Sequence, residues 1–169
     1  MRRSYVLGIW TLVPLACALL TASSFAQQKS LKEQLVGAWT FVSSSTNLPD
    51  GSPAWGANTI GLAIFTDNGR YSTQVMRSDL PKFASKSRVQ GTPEEYKAVV
   101  HGSIANFGTY SVNEANKTFT IRYEGSTFPN RIGTEETRPV AIEGDELRVT
   151  NPAPSTGGPT SQQVYRRTK

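Results

Sequence analysis

GTYSVNEANKTFTIRYEGSTFPNRIGTEETR, residues 108–138, holds two strand-like runs, a polar turn between them and a third run after a Pro-Asn break. Thr109 to Val112 and Thr118 to Gly125 flank Asn113-Glu114-Ala115-Asn116, so the chain doubles back on itself. Side chains alternate along a strand, which puts Phe119, Ile121 and Tyr123 on one face and Thr118, Thr120, Arg122 and Glu124 on the other. Glu136 and Arg138 repeat the two-residue spacing of Arg122 and Glu124 on the strand after Phe128-Pro129-Asn130. Buried charges persist only when paired or hydrogen-bonded. Turned inward, these four would orient a ligand's carboxylate or hydroxyl, or supply an acid and a base. Turned outward, they are surface ion pairs that contribute little. Both faces of one strand cannot be inside.

The same pattern extends in both directions. Upstream, Leu35 to Ser45 opens the strands, and Thr59 to Thr66 places Ile60, Leu62 and Ile64 on one face with Phe65 on the other. Asp67-Asn68-Gly69 is a tight-turn signal, because Asn and Gly tolerate positive φ, and Tyr71 to Ser78 returns antiparallel. Downstream, Thr134 to Ile142 and Leu147 to Thr150 flank the turn Glu143-Gly144-Asp145, and Gln162 to Arg167 is the last strand. Pro139 cannot donate to a ladder, which predicts a bulge or a partial edge there. Thr92-Pro93-Glu94-Glu95 is a capping box with proline at the first helical position. Tyr96, Val99, Val100, Ile104 and Phe107 then recur at helical spacing, predicting one amphipathic α-helix between Thr92 and Phe107 that Gly108 ends. The reading is a mainly β chain, a single antiparallel barrel of about eight strands with that helix over one mouth or against the wall. No internal repeat or linker divides it.

Composition removes several kinds of chemistry. Arg2 and Arg3 precede an apolar run from Tyr5 to Leu20, and Ser24-Phe25-Ala26 offers small residues for cleavage. Residues 1–26 therefore read as a Sec-type signal peptide cut after Ala26, and residues 27–34 as a polar, helical or irregular lead-in to a domain over 35–169. The expected location is periplasmic or secreted, without stable membrane insertion once the leader is gone. The formal net charge is +5, of which Arg2 and Arg3 supply two. The remaining basic residues are scattered, which gives nucleic-acid binding no support. Cys17 is the single cysteine and lies within the leader, so the domain has no thiol nucleophile, disulfide or cysteine metal site. With His101 as the one histidine, a zinc site of several imidazoles is excluded. No metal and no cofactor are expected.

Gly37-Ala38-Trp39 resembles the Gly-x-Trp signature of lipocalins. Other segments are more specific in combination: Asp67-Asn68-Gly69-Arg70-Tyr71-Ser72, Gln74-Val75-Met76-Arg77, Thr92-Pro93-Glu94-Glu95-Tyr96, Phe107-Gly108-Thr109-Tyr110, and Glu124-Gly125-Ser126 followed by Phe128-Pro129-Asn130. With Gly133-Thr134-Glu135 they resemble the small bacterial and fungal lipocalin-like domain proteins over Leu35 to Arg167. That resemblance implies a calycin-type barrel and a small hydrophobic or amphipathic ligand. It also implies that an arginine near the chain end, Arg167 or its neighbour Arg166, packs over Trp39.

The ligand-binding candidates are Gln74, Met76, Tyr110, Arg122, Glu124, Asn130, Glu136 and Arg138, with Trp39 and Arg167 structural. Gln74 and Met76 share a strand face and suit either a pocket wall or ordinary sheet packing. Tyr110 presents its hydroxyl at a barrel mouth or is a core aromatic with one satisfied hydroxyl. His101, at the border of the helix stripe, has no supporting feature and stays outside the site. Three functions remain open. A carrier needs an open apolar pocket, and a cofactor-free isomerase, cyclase or hydrolase needs a desolvated Glu near Arg or Tyr. A structural or stress-related envelope protein would have its barrel filled by its own side chains.

Overall fold

Residues 29–169 are described by a computed structural model, and the leader expected over residues 1–26 lies outside them. A short helix α1 (Leu31–Leu35) precedes strands β1 (Gly37–Ser44), β2 (Thr59–Phe65) and β3 (Arg70–Arg77). Helix α2 (Pro93–Gly102) runs directly into β4 (Ser103–Asn113), followed by β5 (Thr118–Ser126) and a 3₁₀ turn over Pro129–Arg131. Strands β6 (Glu135–Glu143), β7 (Glu146–Asn151) and β8 (Ser161–Arg167) complete the chain. Each strand pairs antiparallel with the next, and β8 closes on β1 through pairs such as Trp39 with Arg167 and Thr40 with Arg166. The result is the expected closed eight-stranded barrel, which leaves no sheet edge. Pro139 pairs with Thr118 at the end of the β5–β6 ladder, and the β6–β7 ladder starts at Val140, so the proline interrupts neither.

The helix over Thr92–Phe107 is shorter than its stripe suggested. Its capping box forms as read, with Glu95 N donating to Thr92 Oγ1 and Thr92 N to the Glu95 carboxylate, but the helix ends at Gly102. From Ser103 the chain enters an eleven-residue strand that pairs with β3 and β5. Ile104 and Phe107 fit a helical stripe, yet Ile104, Asn106, Gly108 and Tyr110 alternate into the barrel, and two ladders outweigh one weak helical face. Gly102 also packs where a Cβ would meet the Leu80 side chain at 2.7 Å.

One end of the barrel is closed. Ser30 caps α1, and the Glu114 carboxylate accepts the backbone N–H groups of Leu31 at 2.8 Å and Lys32 at 3.1 Å, tying the helix to the β4–β5 turn. Leu31 and Leu35 seal the bottom over Trp39, which is 0% exposed and donates its indole N–H to Leu35 O at 2.7 Å. The Arg167 guanidinium lies 4.1 Å from the centre of the Trp39 ring and donates to Gln34 O and Val36 O at 2.7 and 3.1 Å. Above this seal Phe65 stacks against Tyr71, Tyr110 and Phe119 at 5.1–5.4 Å between centroids. The opposite end carries the long connections: the 45–58 loop, α2 with the segment before it, the 3₁₀ turn and the 152–160 loop.

Arg167→Ala removes a cation–π contact and two hydrogen bonds together. It is expected to lower unfolding free energy by about 2–3 kcal/mol. Arg166→Ala, on the exposed neighbour, should change it by less than about 0.5 kcal/mol. Urea melts of the two variants check this, and equal effects would contradict the assigned packing.

Candidate functional site

Which charges enter the barrel follows from the pairing of β5 with β6. Directly paired residues share a face of the sheet. Phe119 pairs with Arg138 and Ile121 with Glu136, so burying the two apolar residues also buries the two charged ones. Arg122 pairs with Glu135, and both face solvent at 3.3 Å from each other. Glu124 also faces out and forms a two-pronged pair with Arg70 at 2.7–2.8 Å. The two-residue spacing is the same on both strands, but only the β6 pair points inward.

Inside, Arg138 is 5% exposed and bound on three sides. Its Nε donates to Glu136 Oε1 at 2.7 Å, one Nη to the Tyr123 hydroxyl at 3.1 Å, and the other reaches Gln163 Oε1 at 3.5 Å. Tyr123 donates to the second Glu136 oxygen at 3.1 Å, and Tyr165 donates to Gln163 at 3.3 Å. Arg131, from the 3₁₀ turn, comes within 3.7 Å of Glu136, donates to Ala153 O at 3.1 Å and lies 5.2 Å over the Tyr123 ring. One buried carboxylate therefore serves two buried guanidiniums.

The electrostatics keep Arg138 and the buried tyrosines in fixed states. Burial disfavours charge on Arg138, but the neighbouring tyrosines and Glu136 outweigh it and hold the guanidinium above its usual pKa. Burial pushes the Tyr123 hydroxyl up to about 12 against the pull of Arg138, and pushes Tyr71 and Tyr165 up as well. The tyrosines are therefore neutral donors at ordinary pH. Both Glu136 oxygens are engaged, so the cluster is an anchored polar floor.

Of the spaces that border that floor, one flanks Arg131 and Glu136 on the side of Thr134 and Gly157, and two others share a wall at the mouth. A chamber of about 20 Å³ is lined by Thr73, Asn106, Arg131, Arg138, Gln163 and Tyr165 among others, enough for one water-sized group. A cleft of about 380 Å³ opens at the mouth between Leu48, Trp55, Val100, Ile104 and Phe128, with His101 and Ser155 on its rim. That is within the range of small-molecule sites. Trp55, Ile104 and Ser155 form part of the wall of both spaces. Trp55 is 7% exposed, and its indole N–H has no hydrogen-bond partner among the described residues. The Thr73 hydroxyl lies beside those of Tyr71 and Tyr165 without a well-aligned hydrogen bond to either. Lower in the barrel only about 10 Å³ is open, among Phe65, Tyr71, Phe119 and Leu147.

The open, apolar barrel interior that a carrier was expected to need is thus replaced by a filled lumen and a cleft at its mouth. Of the candidates read from sequence, Glu136 and Arg138 meet in the lumen, while Arg122 and Glu124 lie on the outer wall. Gln74 and Met76 also face outward, since Tyr71, Thr73 and Val75 take the inner face of β3, and Gln74 donates to Ser72 Oγ at 2.7 Å. Tyr110 sits at the closed end rather than the mouth, its hydroxyl donating to Thr66 O at 2.8 Å. Asn130 is exposed on the 3₁₀ turn, and its neighbour Arg131 is the residue that turns inward. Sequence reading missed Arg131, Trp55, Tyr123, Gln163 and the cleft walls Val100 and Phe128. For Tyr123 the signal was present, since its strand face was already identified as apolar. Arg131 and Trp55 are in irregular segments, where no periodicity marks facing.

The chain belongs to the lipocalin-like domain family, whose model matches residues 36–166. It is 33% identical over 89 residues to a 4'-hydroxy-3'-methoxypropiophenone carrier protein of Aspergillus oryzae, a match covering 49% of this chain and 80% of that protein. Among solved structures a REP1-NXSQ fatty acid transporter aligns over 81% of this chain and 98% of its own at 12% identity and a TM-score of 0.36. That likeness is too remote to bear on fold or function. Among the described residues no helix is long and apolar enough to cross a membrane, and no group of three or more His, Asp or Glu is placed to hold a metal ion.

The Tyr123 shift fixes the sign of a pH effect. A tyrosine titrates near 10 when unfolded and Tyr123 near 12 when folded, so its contribution is intact below about pH 10 and falls as pH rises toward 12. The expected loss from this residue is about 2–3 kcal/mol, with Tyr71 and Tyr165 acting in the same direction. Urea melts across that alkaline range should fall less steeply for Tyr123→Phe than for the unaltered protein. Parallel slopes would contradict the assignment.

Proposed function

We propose that the protein is an exported carrier that holds a small, largely apolar molecule non-covalently in the mouth cleft, with its polar end toward the chamber. The observation that carries this reading is the cleft itself: apolar walls from three separate segments converge over a floor of fixed hydrogen-bonding groups. The carrier title of the Aspergillus oryzae relative supports it, as does the leader-like sequence before residue 27. Export has its own check, the intact mass of the protein recovered outside the cytoplasm, which should begin at Gln27. An enzyme built on Glu136 is the weaker reading, because both oxygens of that carboxylate are already engaged.

The filled lower lumen favours one competing reading, a structural protein with no ligand. Titration with the neutral dye N-phenyl-1-naphthylamine separates the two. Fluorescence should rise saturably with the unaltered protein. Val100 is 71% exposed, so Val100→Asp should spare the fold while weakening the dye by about tenfold or more. Ile60→Asp, on the exposed outer wall, should leave the affinity within about twofold. No binding supports the structural reading. Loss with Ile60→Asp instead of Val100→Asp puts the dye on the wrong surface.

A further inference from the structure

We infer that the chamber beneath the cleft is an anion subsite, so that the molecule held at the mouth is an organic acid whose charged carboxylate oxygen enters between Arg131 and the Trp55 indole N–H. This rests on the mouth-binding reading and adds the chemical class of the ligand.

The first support is a charge count. Arg131 and Arg138 are both buried, and among the described residues Glu136 is the carboxylate within 4 Å of either, leaving the two guanidiniums one carboxylate between them. The tyrosines there are neutral, and Asn106, Asn151 and Gln163 carry no charge. The nearest acidic neighbour in sequence, Glu135, is turned outward to Arg122. A buried charge without a counter-ion is costly, and an entering carboxylate would supply one.

Donor geometry gives the second support. Arg138 is spread over Glu136, Tyr123 and Gln163, whereas Arg131 has five N–H groups and gives one hydrogen bond among the described residues, to Ala153 O. Trp55 is a donor that cannot accept, is nine-tenths buried, lines both chamber and cleft and has no partner among the described residues. A guanidinium with spare donors and an unpaired indole N–H together favour an acceptor-only group. The chamber admits one water-sized group, which matches one oxygen of a carboxylate with the apolar body left in the cleft.

The test is competition between a matched acid and its neutral amide. 4-Phenylbutanoate and 4-phenylbutanamide are used to displace N-phenyl-1-naphthylamine from the protein as recovered after export, near neutral pH. The acid should bind about tenfold more tightly than the amide, the ratio that a charge-assisted hydrogen bond of about 1.4 kcal/mol gives. Arg131→Gln should bring the two within about twofold of each other, and Arg131→Lys, which keeps the charge, should retain the preference for the acid. Arg131 also holds the 152–160 loop through Ala153, so the acid-to-amide ratio of the unaltered protein is the deciding value if Arg131→Gln does not fold. An amide that binds as well as the acid overturns the anion subsite while mouth binding stands. A dye that never binds overturns both.

Discussion

The pairing of Ile121 with Glu136 is the constraint on which the interior of this barrel depends. Ile121 is fully buried, as are Phe119 and Tyr123 on the same strand, and that apolar face fixes which side of β5 turns in. Once β6 pairs in this register, Glu136 and Arg138 must be buried too. A slip of one residue would bring Glu135 and Thr137 inside and send the guanidinium to water. Burial of a charged pair does not stabilise a fold by itself, since desolvation offsets most of the attraction. Breaking the pair, however, leaves a buried charge uncompensated, so the register is enforced by what misalignment would cost.

From that pairing the rest of the lumen follows in layers. Arg138 recruits Tyr123 from β5 and Gln163 from β8, and Gln163 in turn holds Tyr165. Below this polar layer the Phe65 cluster and the Trp39–Arg167 seal close the barrel. Above it Arg131 folds in from the 3₁₀ turn, and the loops have room to spread. The apolar volume is therefore displaced upward, to a cleft whose walls come mostly from connections, with Ile104 at the start of β4 as the strand contribution. A carrier of this shape would hold its molecule on top of the barrel, using the lumen as a rigid polar floor.

Most of the architecture was legible in the sequence because alternation and turn chemistry act locally. The Asp67-Asn68-Gly69 turn, the β4–β5 and β6–β7 hairpins and the capping box at Thr92 all form where their residues place them. The end of α2 was not legible, since Ile104 and Phe107 continue a helical period while the strand puts them on opposite faces, and only the ladders to β3 and β5 decide. The site was half legible. Glu136 and Arg138 were recognised as candidates, but the same spacing in Arg122 and Glu124 carried no facing information, because facing is set by the partner strand. Trp55 and Arg131 belong to segments without a repeat, and their inward turn is a property of the tertiary fold.

The most direct measurement of where this barrel holds its ligand is an amide chemical-shift map of the nitrogen-labelled protein during titration with 4-phenylbutanoate. Binding at the mouth over a rigid floor predicts shifts concentrated in residues 48–56, 99–104, 127–131 and 153–156, with Phe65, Tyr110 and Phe119 unmoved. Shifts centred on the closed-end aromatics, or on Gln74 and Met76 of the outer wall, would contradict it.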